Sequence, residues 1–292
     1  MSVEVTQMDL VSRAAATAGR VASAADLAIS EIGDIGRLTE AARLFDRVWG
    51  SSAEEPLISA ATLKALAHSG NYLSAAYRDG TLLGACVGWL GRHNGELQLH
   101  SHILGVAPDV QGRSVGYALK LHQRAWSLER GISTITWTFD PLVRRNAYFN
   151  LTKLRASITA YYDNFYGEMP DGINAGDESD RVLVDWSLAA LDDDGLATVT
   201  EPDVDALRAA GAATILAAGG DGAPVVRSDA TAPTLLVQLP EDIVAVRASD
   251  PARALAWRRA VRGSLGVALR NGFVANAMTR SGWYVLSRGE SS

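Results

Sequence analysis

The chain has 292 residues, 48% of them hydrophobic, with 27 Lys and Arg set against 33 Asp and Glu. That apolar share is ample for a sizeable core in one large domain or two smaller ones. The net charge of -6 gives no general attraction to nucleic-acid phosphates or anionic lipid. No window approaches the roughly 18 to 20 apolar residues of a membrane span, and the single cysteine, Cys86, cannot close an internal disulfide. The expectation is a cytoplasmic chain with no nucleic-acid partner and no membrane partner, in which Cys86, set in an apolar strand-like run, is an inert buried thiol.

In chain order, residues 1–26 read as an Ala-rich leader, frayed or helical, and Leu27 to Ile29 as a short strand. Apolar residues at Ile35, Leu38, Ala42, Phe45 and Trp49 predict a helix that stops at Gly50, and a second helix covers about Ser59 to His68. Strands Tyr72 to Arg78 and Leu82 to Leu90 are joined by Asp79-Gly80, a hairpin signal, and Glu96 to Val106 is a third strand. A helix from about Ser114 to Glu129 and a strand from Ile132 to Phe139 follow. Asp140-Pro141 predicts a capped helix start, with the helix running to about Leu154. Strands Ile158 to Phe165 and Val182 to Leu188 close the unit.

Between the third strand and its helix stands Gln111-Gly112-Arg113-Ser114-Val115-Gly116. A Gly-rich turn feeding a helix N-terminus offers unpaired backbone N–H groups and the positive end of the helix dipole, which bind an anion without a cationic side chain. This loop resembles the acyl-CoA loop of the GCN5-related N-acetyltransferases (GNAT), matching it at Gln111 and Gly116 and departing at Ser114. Ser114 costs little in a helical conformation and is strained at a positive φ. A second stretch, Asn146 to Ala156, resembles that family's fourth-helix motif, with Leu151 in place of the usual Tyr. The element order also resembles the family's, and Trp137 to Leu142 with Asn164 to Gly167 is similar to a poorly characterised bacterial subgroup.

The resemblance implies the α/β GNAT fold, a mixed, mostly antiparallel sheet flanked by helices. It covers residues 27–189, leaving the leader 1–26 and a C-terminal α+β extension, 190–292. It implies acetyl-CoA or a related short acyl-CoA as donor, with the pantetheine arm pairing like an added strand against Leu104, Gly105 and Val106. The pyrophosphate would rest on Gln111, Gly112, Arg113, Ser114, Val115 and Gly116. Asn146 would stand near the thioester end and Lys153 near the adenosine phosphates, although a helix-start polar residue and a solvated lysine are the plainer readings of those two.

Direct transfer to an amine needs a proton acceptor and a donor to the departing thiolate. His100 and His102 stand one strand period apart near the loop, expected on one face with Leu104 and Val106, and are the candidate bases, His102 first. With Leu151 unable to serve, Tyr148 and Tyr166 are the substitute acids, or else packing aromatics. No Cys/His cluster or His-Glu-x-x-His run points to a metal. Asp171 to Asp177 lacks the spacing of a calcium loop and reads as a surface loop.

Beyond the break at Leu191 to Gly195, a hairpin is expected from Ala213 to Leu216 and Val225 to Arg227, then a strand at Leu235. Asp250-Pro251 predicts a helix ending at Asn271-Gly272, and Phe273 onward a terminal hairpin. Arg253, Arg258, Arg259, Arg262 and Arg270 on that helix are expected to form a solvated face. The functional expectation is an N-acyltransferase acting on a primary amine of a small molecule, an amino acid being one candidate, with a homodimer as the candidate assembly. The alternative is an acyl-CoA-binding regulatory module without turnover.

Overall fold

The computed structural model describes residues 3–52, 54–93, 95–167, 178–189, 201–227 and 232–288. The loop expected at Asp171 to Asp177 and the break at Leu191 to Gly195 lie outside them. The chain divides into two compact units, the first made of the described residues up to Trp137 with 187–189, the second of those in 138–186 and from 201 onward.

The first unit opens with α1 (Val3–Ala24), so the leader is a helix whose buried residues Ala14, Thr17 and Ala18 form a narrow stripe. β1 (Ala28–Glu31) follows, then α2 (Ile35–Trp49), which Asp34 caps by accepting the Arg37 N–H and which Gly50 ends at φ 73°. α3 (Ala60–His68) is capped by Ser59 in the same way. β2 (Tyr72–Arg78) and β3 (Thr81–His93) meet at Asp79 and Gly80, both at positive φ, as a two-residue hairpin turn requires. β4 (Glu96–Val106) leads through a short 3-10 turn to α4 (Val115–Glu129), and β5 (Thr134–Phe139) begins after Gly131. The strand order is β1-β2-β3-β4-β5, antiparallel except for β4 with β5. α1 packs on α4, and α2 covers β3 and β4.

The second unit contains α5 (Arg144–Ala147), a π-helical turn at Tyr148–Lys153, β6 (Ser157–Tyr162) and β7 (Arg181–Ser187). It continues with α6 (Val204–Ala209), the hairpin β8 (Ala213–Ala218) and β9 (Pro224–Val226), β10 (Thr234–Gln238) and α7 (Ile243–Ser249). α8 (Pro251–Val261), a π-helical turn at Arg262–Gly266 and α9 (Val267–Arg270) precede the hairpin β11 (Phe273–Met278) and β12 (Trp283–Arg288). Its strand order is β7-β6-β11-β12-β10-β8-β9, in which β8 and β10 run parallel and the other neighbours antiparallel.

Two expectations are corrected here. Asp140 does not cap a helix: α5 starts four residues later, and the carboxylate instead closes a turn by accepting the Leu142 N–H and binds two guanidiniums. Arg258 Nη1 and Nη2 reach its two oxygens at 2.7 and 3.0 Å, and Arg247 Nη2 reaches Oδ2 at 2.6 Å. The arginines of α8 are accordingly not one solvated face. Arg258 is 1% exposed, Arg262 is held by Asp180 and Glu178, and Arg253 and Arg270 pair at the surface with Asp250 and Asp163.

Candidate active site

The loop before α4 has the backbone geometry of an anion nest. Gly112 has φ 83° and Ser114 has φ 64°, ψ 0°, so left-handed residues on either side of Arg113 turn successive N–H groups toward a common side. Arg113 N–H bonds Val110 and Ala118 N–H bonds Ser114, whereas the N–H groups of Gly112, Ser114, Val115 and Gly116 have no partner among the described residues. These free donors coincide with the positive end of a 15-residue helix. Ser114 is therefore in the conformation that strains a side-chain-bearing residue, and its hydroxyl makes no capping bond in compensation. Gln111 lies beside the loop, with Nε2 3.5 Å from the Val106 carbonyl.

β4 arrives at this loop with an open edge. It pairs with β5 only at Leu99↔Ile135 and His100↔Thr136, so beyond His100 the strands part and the edge of Ser101 to Val106 has no strand partner among the described residues. Unpaired backbone groups along such an edge can take an extended ligand as an added strand. Leu104 and Val106 point to α4, since a Cβ on Gly116 would lie 3.4 and 3.5 Å from their side chains.

A bulge reverses the expected placing of the histidines. On β3, Val87 pairs with Ile103 but Gly88 pairs with Ser101, so His102 is the extra residue. One extra residue swaps the faces of everything before it. Ser101 consequently faces α4, accepting a bond from Lys120 at 2.8 Å, as do Leu104 and Val106 beyond the bulge. His100 and His102 keep a common face, the one opposite Leu104 and Val106. Their rings are 6.0 Å apart and lie 5.6 and 4.2 Å from the Trp89 ring. Thr136 Oγ1 is 3.4 Å from His100 Nδ1.

Both imidazoles are held neutral. Burial and then the Lys120 charge push His100 below its ordinary value, and crowding by Trp89 and the sheet, with His100 alongside, takes His102 down to about 4 while its outer edge stays open to solvent.

Lys120 escaped the sequence reading. It is 4% exposed on α4, with Nζ bonded to Ser101 and to Gln123 Oε1 at 3.2 Å, and 3.8 Å from the centre of the Trp137 ring. Its one available signal was a lysine inside the apolar stripe of a helix, between Leu119 and Leu121.

The remaining candidates belong to the second unit. Asn146 and Lys153 are exposed, on α5 and at the end of the π-helical turn. The Tyr148 hydroxyl donates to Glu201 at 3.0 Å and accepts from Arg280 Nε at 3.1 Å, so it is occupied by a salt-bridged pair. Tyr166 is 44% exposed, its hydroxyl 3.3 Å from Thr138 Oγ1 and its ring flanked by Arg181. Leu151, where the resemblance expects a Tyr, is buried. Among the described residues no group of three or more His, Cys, Asp or Glu is arranged to hold a metal, and no helix is long and apolar enough to cross a membrane.

Residues 38–150 match the model of the Acetyltransferase (GNAT) family. The match spans well under half of the chain, and the segment it covers contains the loop before α4 and the open edge of β4. Among solved structures, the ribosomal-protein-S18-alanine N-acetyltransferase of Escherichia coli is 15% identical, with a TM-score of 0.45 over 57% of this chain and 96% of that one. The aminoglycoside 6'-acetyltransferase type Ii is 16% identical, with a TM-score of 0.43 over 55% of this chain and 97% of that one. An aminoglycoside acetyltransferase from an uncultured soil metagenomic sample, in complex with sisomicin, is 18% identical, with a TM-score of 0.36 over 39% and 78%. No curated protein matches the chain.

Proposed function

We propose that this protein moves an acetyl or other short acyl group from acyl-CoA to a primary amine of a small molecule by direct attack. The observation that carries the reading is the pairing of the nest at Gly112 to Gly116 with the open β4 edge leading into it. An anion held by the nest puts a trailing chain at the start of that edge, so Leu104, Gly105 and Val106 would hold the pantetheine and Gln111 to Gly116 the pyrophosphate. Attack by the amine nitrogen forms the C–N bond, and collapse of the tetrahedral intermediate breaks the C–S bond and releases CoA.

The histidine face suits an acceptor that needs little help. A lysine side chain, pKa ~10.4, is neutral only about once in 10³ at pH 7.5, a handicap near 4 kcal/mol, whereas an α-amino group of pKa ~8 loses under about 1 kcal/mol. His100 and His102, neutral at pH 7 with lowered basicity, can take a proton from the attacking nitrogen and are too weak to strip a lysine ammonium. This favours α-amino and other weakly basic amines, an amino acid among them.

Heat unfolding with and without acetyl-CoA or succinyl-CoA tests the donor. A ligand at ~100 times its dissociation constant adds about 2.7 kcal/mol to the folded state, and an upward shift ranking the two donors is expected. Release of free thiol with a panel of amines then tests turnover. No shift with either donor, in folded protein, removes the reading. A shift without thiol release supports instead a non-catalytic acyl-CoA-binding module, which the strain at Ser114 and the apolar Leu151 favour.

A further inference from the structure

Acyl transfer by direct attack leaves one proton unplaced. The CoA sulfur carries the electron pair of the broken C–S bond and departs as a thiolate unless a donor meets it. The position where the resemblance expects that donor holds buried Leu151, and the Tyr148 hydroxyl is tied to Glu201.

Lys120 stands at a different and better defined place. Its ammonium bonds Ser101 and covers the ring of Trp137, the residues that follow His100 and Thr136, the last pair joining β4 to β5. The charge therefore sits at the fork where the two strands part, on the α4 side. One helical turn before it lies Gly116, the end of the phosphate nest.

A cation at this point is costly and serves no ion pair. Among the described residues no carboxylate pairs with it. The groups around it are the Cys86 thiol of β3, Ser101 and His100 of β4, Trp137 of β5 and Gln123 of α4, with Arg124 one helical turn further along α4. Cys86 is kept protonated by burial, Gln123 also donates to its sulfur at 3.4 Å, and Arg124 is directed to the Leu188 carbonyl. Burial pushes Lys120 down to about 8, close to the ~8.5 of a free thiol, which is where proton exchange between the two is most efficient near neutral pH.

We propose that Lys120 is the proton donor to the departing CoA sulfur, placed on the α4 side of the fork while His100 and His102 meet the acceptor amine from the opposite face. The inference rests on the acyl-transfer reading. As the C–S bond breaks, its electron pair goes to sulfur, an Nζ–H bond breaks, and the proton becomes the S–H of free CoA. Lys120 is left neutral and regains a proton from solvent, to which the attacking amine has lost one through the histidine face.

The test uses the full-length chain and Lys120→Met, with acetyl-CoA and with its selenium analogue, in which selenium replaces the thioester sulfur and the selenolate, a far weaker base, leaves unprotonated. Lys120→Met should lower kcat with acetyl-CoA by about 10²-fold or more, keep the thermal shift given by acetyl-CoA, and recover most of its rate with the selenium donor. In the unsubstituted protein kcat should fall as pH rises past about 8 with the sulfur donor and not with the selenium donor. A variant within about threefold of the parent, an equal loss with both donors, or acetylation of Lys120 itself by mass spectrometry would overturn the assignment. If Lys120→Met fails to fold, the alkaline limb decides alone: present only with sulfur it supports Lys120, identical with both donors it excludes it. Failure of the acyl-transfer reading is seen separately, as an unsubstituted protein that releases no thiol from any acyl-CoA, and takes this proposal with it.

Discussion

Both units bury cations in their cores, and two of these, Arg258 and Lys120, are accommodated in opposite ways. In the second unit, 1%-exposed Arg258 forms a two-pronged pair with Asp140, and Arg247 adds a third bond. Burial alone would raise the Asp140 carboxyl, but the charges of Arg258 and Arg247 override it and hold it well below the usual carboxylate range. In the first unit Lys120 has only neutral partners among the described residues, and its proton affinity falls instead. An arginine cannot give up its proton inside a protein and must be paired, whereas a lysine can and need not be. The paired cation is a structural rivet, and the unpaired one is a group whose proton is available at working pH.

Removing the partner from the paired cation should have the largest effect on stability. Asp140→Ala leaves the buried Arg258 and the part-buried Arg247 without their carboxylate and is expected to cost about 3 to 5 kcal/mol in denaturant unfolding. The same pair sets an acid limit. Because the folded pKa lies below the unfolded one, its stabilisation is fully present above the unfolded value near 3.8 and is lost only as pH falls below that toward the folded value. The stabilisation from Asp140 should therefore be constant between pH 5 and 8, adding nothing to the pH dependence of unfolding there. A cost under about 1 kcal/mol for Asp140→Ala would mean the pair is dispensable and the contrast with Lys120 is false.

Lys120 should give the opposite sign. Its lowered pKa means the folded state holds the proton less tightly than the unfolded chain, so the penalty is full below about 8 and is relieved as pH rises toward 10.5. A shift of that size corresponds to about 3 kcal/mol, less the bond to Ser101 that the cation contributes. Lys120→Met is expected to be more stable than the parent at pH 7 by roughly 1 to 3 kcal/mol, with the gap closing by pH 10. A variant that is both more stable and slower marks a residue retained for chemistry. One that is less stable at pH 7 would place Lys120 among ordinary packing groups.

The sequence disclosed the parts of this arrangement that depend on local pattern. Alternation and turn residues marked β2 and β4 to the residue, β3 to within three residues and the hairpin of β11 and β12 to within two, because the face a strand buries is written in its own side chains. Short helices escaped: α6 and α7, capped by Asp203 and Asp242, have too few turns for a periodic stripe to stand out. Long-range pairings escaped for another reason. Asp140 is 118 residues from Arg258, and nothing local distinguishes a carboxylate that caps a helix from one that binds a distant arginine. The faces of His100 and His102 were misplaced because the bulge at His102 is set by pairing with Gly88 on β3 and leaves β4's own alternation intact. The nest was legible as a motif at Gln111 to Gly116, and the risk attached to Ser114 was readable too, although its φ was not.

Ser114 offers the smallest expected effect and the sharpest check on the nest. At φ 64° its Cβ is strained, and the side chain makes no capping bond that a glycine would forfeit. Ser114→Gly relieves that strain, worth about 1 to 2 kcal/mol, against the greater freedom glycine gives the unfolded chain, about 0.4 to 1 kcal/mol. The net expectation is a gain of a few tenths to about 1 kcal/mol without ligand, read by thermal unfolding. The shift produced by acetyl-CoA should be at least as large as in the parent, because the left-handed geometry that aims the N–H groups becomes easier to hold. A gain in stability with a smaller ligand shift would mean that the strained serine itself touches the donor, and would move the hydroxyl from bystander to phosphate ligand.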